Sequence, residues 1–301
     1  VIEPAHAEGW LDVVAVAATA WFDEEGRLDG AAFEKHCEWL VGEGAGAIVV
    51  NGSVGEYEAL TADERDLQAR AAVVAVAGRV PVIAGVGGRS AAEAHQWADQ
   101  AARVGCDAVM ALPPTSHLPT PDETMAHFAH VAAAGLPVIV YNNPFSTRID
   151  LSAELLARIG EIPGVVAVKE FSQDVRRVAQ ICRLSPQLTV LCGCDDLLVE
   201  SALMGARGWI AGFANAFPRL CVLLLELCHE ERWAEAVALY RPMLPLLRFD
   251  ADPRLVQAIK LAQEVAGRPA AGLRLPRLPL SEADAAEIVA CAEAVAALEV
   301  P

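Results

Sequence analysis

The segment VPVIAGVGGRSAAEAHQWADQAARVGCDAVMAL, residues 80–112, reads as one strand, one helix and a second strand. Its ends, VPVIAG and DAVMAL, are short apolar runs of strand length. Between them, Ser90 with Glu93 three residues on has the form of a capping box, and AARVG closes the helical stretch at Gly105, where a left-handed cap suits glycine. Two strands joined by a helix lie parallel, with a right-handed crossover. The same unit recurs on both sides: VVAVAA from 13, AIVV from 47, PVIVY from 137, VVAVK from 165, LTVL from 188 and GWIAG from 208 bring the strand-like runs to eight. TADE at 61–64 and TPDE at 120–123, the latter with Pro121 at the first helical position, announce further helices, and Gly78 and Gly135 end helical stretches. Eight alternating units close naturally into a barrel. We therefore expect an α/β fold, a (β/α)8 TIM barrel over 1–216. Three more helical patterns near 217–247, 253–266 and 281–298 make 217–301 the last barrel helix plus a C-terminal helical extension of the same globular unit.

Composition limits the function. The chain has 301 residues, is 54% hydrophobic and carries a net charge of -17 spread along its length, which opposes binding to nucleic acid or to an anionic membrane. An anionic substrate therefore needs local donors to overcome a repulsive field. The eight cysteines lie mostly in apolar segments, without metal-type pairing with histidine, and read as reduced thiols of a cytoplasmic protein. LDVVAVAATAW near the N-terminus has a signal-like core, but Glu3, Glu8 and Asp12 stand where such a segment needs positive charge. CVLLLELC at 221–228 is too short to span a bilayer and reads as a buried or interface helix.

In a barrel the chemistry sits where strands end and βα loops begin. GVVAVKEFS, residues 164–172, places there one of only three lysines, Lys169, in a chain that otherwise uses arginine. Arginine keeps its proton, whereas a desolvated lysine becomes a neutral amine able to attack a ketone and form an imine. If Lys169 points inward with Val165 and Ala167, its mouth is apolar and favours the neutral form; the alternative is a rim lysine paired with Glu170. Tyr141 ends the preceding strand run in VIVYNNP, where its phenol can shuttle protons beside Lys169 or serve as a core tyrosine. NGSVGE at 51–56 is a glycine turn in which Gly52 and Gly55 permit close backbone approach. The NH groups of Ser53 and Val54 can face a carboxylate and the Ser53 hydroxyl can relay a proton, or the turn is only structural.

Together these strand ends resemble the dihydrodipicolinate synthase and N-acetylneuraminate lyase superfamily of class I aldolases. The matching motifs are GSVGE at 52–56, YNNP at 141–144, VVAVKE at 165–170, and GCDD at 193–196 followed by GWIAG at 208–212; the likeness runs from about Val13 past Pro218. It implies a Schiff base between Lys169 and a 2-oxo acid such as pyruvate, with no cofactor and no metal. It also implies Tyr141 as proton shuttle, Ser53 as relay hydroxyl and carboxylate contact, and substrate contacts from Gly52, Val54, Gly193 and the Ile210 carbonyl. Glu56 fixes the loop, and the assembly is a homotetramer built as a dimer of dimers.

The departures carry information too. Val54 stands where the synthase has a second hydroxyl, PPTSH offers Ser116 or His117 where it has a tyrosine from a neighbouring subunit, and Ser146 falls at its distal arginine, with Arg148 two residues on. These point to a sister enzyme that makes or breaks a carbon–carbon bond next to a different 2-oxo acid. Dehydration or deamination of a hydroxylated 2-oxo acid or hydroxypyrroline carboxylate through the same imine is the alternative, and a non-catalytic 2-oxo acid binder is the reading from another class. GVGGRS at 85–90 lacks a Walker lysine and reads as a βα turn, the histidines have no HxH or HExxH spacing, and CGC at 192–194 reads as small buried side chains.

Overall fold

The structure, a computed structural model, describes residues 9–269 and 271–298. Glu3 and Glu8 of the leader-like segment lie outside the described residues. Eight parallel strands close in sequence order into one barrel: β1 (Val14–Ala17), β2 (Ala47–Val50), β3 (Val82–Gly85), β4 (Ala108–Ala111), β5 (Val138–Asn142), β6 (Val165–Glu170), β7 (Thr189–Cys192) and β8 (Gly208–Ala211), with β8 pairing back on β1. Most are four residues long and buried along their whole length, so they read as continuous apolar runs rather than alternating ones. Helices α1 (Gly30–Gly42), α2 (Ala62–Val76), α3 (Ala91–Val104) and α4 (Pro121–Ala132) follow the first four strands. The short α5 (Pro144–Thr147) and then α6 (Ala153–Ile159) follow β5, and α7 (Val175–Leu184), α8 (Leu198–Leu203) and α9 (Pro218–His229) complete the ring.

Local chemistry sets the helix ends, with three differences from the sequence reading, one being that α4 is capped by Ala133 in the right-handed region, two residues before the left-handed Gly135 (φ 89°). Thr61 with Glu64 and Thr120 with Glu123 form complete capping boxes. Ser90 accepts from Glu93 N, but Glu93 Oε2 accepts from Arg89 N instead of the cap residue, so SAAE is half a box. At the end of α2 the left-handed cap is Ala77 (φ 49°), with Gly78 (φ 73°) following it. Gly105 caps α3 in the left-handed region as the sequence indicates.

The stretch 217–247 is two helices, α9 and α10 (Trp233–Leu247), because Glu231 takes a left-handed turn (φ 56°) between them. Then come α11 (Leu255–Val265) and α12 (Glu282–Ala296). CVLLLELC falls in α9, where Cys221, Leu224, Leu225, Leu227 and Cys228 are buried, each fully buried leucine contributing about 1.5–3 kcal/mol. Among the described residues no helix is long and apolar enough to cross a membrane. The turn between α10 and α11 reaches back over the barrel mouth, and its residues Asp250 to Pro253 form one wall of the cavity there.

Candidate active site

A cavity of about 310 Å³ opens at the C-terminal ends of the strands, with Lys169, Tyr141, Ser53, Gly52 and Val54 all in its lining. Strand register explains the pairing at its centre: Tyr141 on β5 lies opposite Lys169 on β6. Lys169 Nζ sits 4.3 Å from the centroid of the Tyr141 ring and 5.9 Å from that of Phe171. The Tyr141 hydroxyl accepts from Asn143 Nδ2 at 2.8 Å, which fixes the phenol. Lys169 is only 7% exposed, and Glu170 turns to the other side of the strand, where it accepts from Asn142 Nδ2 (3.0 Å) and Ser172 N (2.6 Å). The rim pair with Glu170 is therefore not formed.

The electrostatics correct the expectation of an apolar mouth that leaves Lys169 neutral. Burial pulls its pKa down, but the Tyr141 phenol and the Asp250 and Asp195 carboxyls outweigh that, and the net direction is upward. Burial raises Asp195 to about 6, against hydrogen bonds from Phe213 N and Trp209 Nε1, and lifts Asp250 well above the usual carboxylate range. The Tyr141 hydroxyl is also raised by burial, with Lys169 pulling the other way. Two buried acids thus share the lysine's neighbourhood. Neither has a role in the sequence reading, although Asp195 lies in the quoted GCDD. Asp250 carries no signal at all, since RFDADP lies on a turn beyond the last strand and only the fold returns it to the mouth.

The other expected residues separate into groups. Gly193 stands behind the lysine: a Cβ there would lie 2.7 Å from the Glu170 carbonyl oxygen and 3.1 Å from Lys169 Cε, so its lack of a side chain makes room for the lysine stem. Ile210 is buried in β8, hydrogen-bonded into the barrel wall, outside the cavity lining. Arg148 does not reach the cavity. It is the left-handed cap residue of α5 (φ 60°), which turns the chain outward and leaves the side chain exposed, while Ser146 faces the cavity in its place. Ser116 and His117 are exposed and bond each other at 3.1 Å, away from the lining. Glu56 is buried and ion-paired with Lys260 Nζ at 2.5 Å, which ties the glycine loop to α11. The loop also needs glycine at 85, where a Cβ would lie 2.2 Å from the Asn51 carbonyl oxygen.

Residues 11–295 match the Dihydrodipicolinate synthetase family. The chain belongs to that family. It is 35% identical to the 4-hydroxy-tetrahydrodipicolinate synthase of Methylobacterium radiotolerans over 263 residues, 86% of this chain and 87% of the relative. It is 37% identical to the synthase of the same name from Sphingopyxis alaskensis, over 74% and 77% of the two chains. Among solved structures, a dihydrodipicolinate synthase from Bacillus anthracis superposes with a TM-score of 0.90 at 27% identity, covering 94% of this chain and 98% of that one. The protein is accordingly a class I aldolase-type lyase of the dihydrodipicolinate synthase family, built as a (β/α)8 barrel with C-terminal helices.

Proposed function

We propose that this lyase forms an imine between Lys169 and pyruvate or a related 2-oxo acid, and makes or breaks the bond between C3 of that acid and an aldehyde carbon. The observation that carries the reading is a single buried lysine against the Tyr141 ring, in the same cavity as the Ser53–Val54 turn. In this reading the NH groups of Ser53 and Val54 hold the 2-oxo acid's carboxylate against the repulsive net charge, beside the lysine cation. The amine attacks C2, and the Tyr141 phenol moves protons between nitrogen and oxygen as water leaves. The protonated imine then draws electrons from C3 and acidifies its protons, so C3 becomes the nucleophile towards an aldehyde or the leaving carbanion in cleavage. The Ser53 hydroxyl relays the proton of the second partner.

The cavity lining supports an aldehyde without a second carboxylate. Among the described residues, that lining contains Asp250, Asp252, Ser146 and Gln173 and no cation other than Lys169, with Arg148 turned out. The same lining is compatible with dehydration of a hydroxylated 2-oxo acid, since that branch shares the imine. The protein acts in this reading without a cofactor, in the cytoplasm. Borohydride reduction in the presence of pyruvate is expected to add the ligand's mass to the peptide carrying Lys169, and label on Lys35 or Lys260 instead would sink the assignment. Lactate dehydrogenase coupling with a panel of 2-oxo sugar acids then separates the branches: released pyruvate marks aldol cleavage, and loss of water without pyruvate marks dehydration. Trapping without turnover of any candidate would favour the binding protein.

A further inference from the structure

Lys169 must lose a proton before it can attack, yet its surroundings hold that proton on. Some group at the cavity has to take it. The lining offers few bases: Asp252 is occupied by Arg254, with both carboxylate oxygens at 2.8 Å from guanidinium nitrogens, and no histidine is present among the described lining residues. Asp195 is saturated. Its oxygens accept from Trp209 Nε1 (2.8 Å), Phe213 N (2.8 Å) and Gly212 N (3.0 Å), so its negative charge is fixed in place. Asp250 differs. It lines the cavity, is 6% exposed, and has one donor among the described residues, Asp195 N to Oδ2 at 2.9 Å. Its Oδ1 accepts no hydrogen bond among the described residues.

We propose that Asp250 is a catalytic base and acid of imine formation, taking the proton that Lys169 must lose and returning it to the hydroxyl that leaves as water. The proposal rests on the imine reading above. Starting from the lysine ammonium and the Asp250 carboxylate, which are not in direct hydrogen-bond contact, one proton passes from nitrogen to Oδ1 through one intervening water, leaving a neutral amine and a neutral acid. The amine attacks C2, and one proton moves from nitrogen to the former ketone oxygen through Tyr141. The Asp250 acid then protonates the carbinolamine hydroxyl, the C–O bond breaks with its electrons, water departs, and the nitrogen lone pair forms the C=N bond. The products are the iminium, the Asp250 carboxylate and one water, so charge and atoms balance. Of two neighbouring buried carboxyls, the one with fewer donors is the one able to carry the proton. Asp250 is faced by Asp195 and Asp196 after β7, by Lys169 and Tyr141 across the mouth, and by Cys192 and Cys194, and the chain around it carries Arg248, Asp252 and Arg254. Burial and the neighbouring Asp195 shift its carboxyl upward, in the direction that favours holding a proton.

The test measures the initial rate of borohydride-trapped pyruvate at Lys169 between pH 6 and 10 in the wild type, Asp250→Asn and Asp250→Glu. A base is expected to be worth about 100-fold, so Asp250→Asn should label about 100-fold more slowly at pH 7, recover towards the wild-type rate as pH rises and the lysine deprotonates to solvent, and be rescued at least tenfold by Asp250→Glu. A counter-ion predicts the opposite sign. Removing a negative neighbour lowers the lysine pKa, so labelling of Asp250→Asn faster than or equal to the wild type at pH 7 overturns the proposal, as does a loss of the same size at every pH. If the Asn variant does not fold by circular dichroism, Asp250→Glu decides: retained labelling with a displaced pH profile supports the role, and an unchanged profile refutes it. Failure of the wild type to label at all would instead remove the imine reading itself.

Discussion

In the proposed mechanism Lys169 carries the chemistry, as the one cation among the described residues that lines the cavity, in the neighbourhood of a tyrosine and two buried acids. Substituting arginine keeps the charge and removes the nucleophile. Lys169→Arg is therefore expected to abolish imine trapping and lower turnover by at least 1,000-fold, roughly the scale of losing a covalent step, with the melting temperature little changed. Two buried histidines give a separate, structural prediction. Burial pushes His36 down to about 4, against its bond to Asn215 Oδ1, and does the same to His127, whose Nε2 bonds the Leu112 carbonyl. Both are neutral in the folded state, while the unfolded chain takes up protons near pH 6.5. Between about pH 6.5 and 4 the unfolded state therefore binds more protons, so each histidine's share of stability is present above 6.5 and lost as pH falls towards 4. Asp195, raised by burial, works in the opposite direction between its ordinary 3.8 and about 6. The clean measurement is a difference. His127→Gln, which keeps a donor for Leu112 O, is expected to lose less melting temperature than the wild type between pH 6.5 and 4.5.

Elements in this barrel are held to one another by a few close contacts that side-chain pattern alone does not reveal. The glycine loop after β2 is clamped from the C-terminal helices: Lys260 on α11 donates to Glu56 at 2.5 Å and to the Gly272 carbonyl at 2.7 Å, with Lys260 and Glu56 both buried. Removing the lysine leaves the buried Glu56 carboxylate with only the longer ion pair to Arg277 at 3.5 Å. Lys260→Met is expected to cost about 3–5 kcal/mol in denaturant titrations and to raise KM for the 2-oxo acid, because Ser53 and Val54 sit three and two residues before Glu56. Gly193→Ala tests the opposite side of the site. Its new methyl must displace either the Glu170 carbonyl or the lysine stem, so kcat is expected to fall at least tenfold while the chain still folds. These elements were unevenly legible in the sequence. The capping residues at Thr61 and Thr120 marked α2 and α4 because a cap is local, made within four residues. The break at Glu231 between α9 and α10 was not legible, since a left-handed glutamate has no compositional mark. The acid at Asp250 was hidden for the same reason at longer range.

At the scale of the molecule, the net charge of -17 sets how an anion arrives. A repulsive field slows encounter, and salt screens it over about 10 Å at 0.1 M. For pyruvate, kcat/KM is expected to rise between 10 mM and 150 mM salt in this protein, and a fall would show that local attraction at the mouth outweighs the global field. Assembly is the other property of this scale. Leu118, on the loop that follows β4, and Phe145, in the short α5 after β5, are 71% and 60% exposed, and a tetramer built as a dimer of dimers is our proposal for what covers them. Light scattering at micromolar concentration is expected to give about four times the chain mass, and a stable monomer would refute it.

The amino-acid sequence by itself determined the order of strands and helices, the closure of eight units, and the three strand ends that carry Lys169, Tyr141 and the Ser53 turn. Each of these depends on short-range patterning or on a motif a few residues long. Tertiary structure alone decided the protonation environment of Lys169, the exclusion of Arg148 from the cavity, and the arrival of Asp250 and Asp195 beside the amine. Charges interact through space, here between Lys169 and acids 26 and 81 positions from it in the chain, and only closure of the barrel and the return of the turn before α11 bring them together.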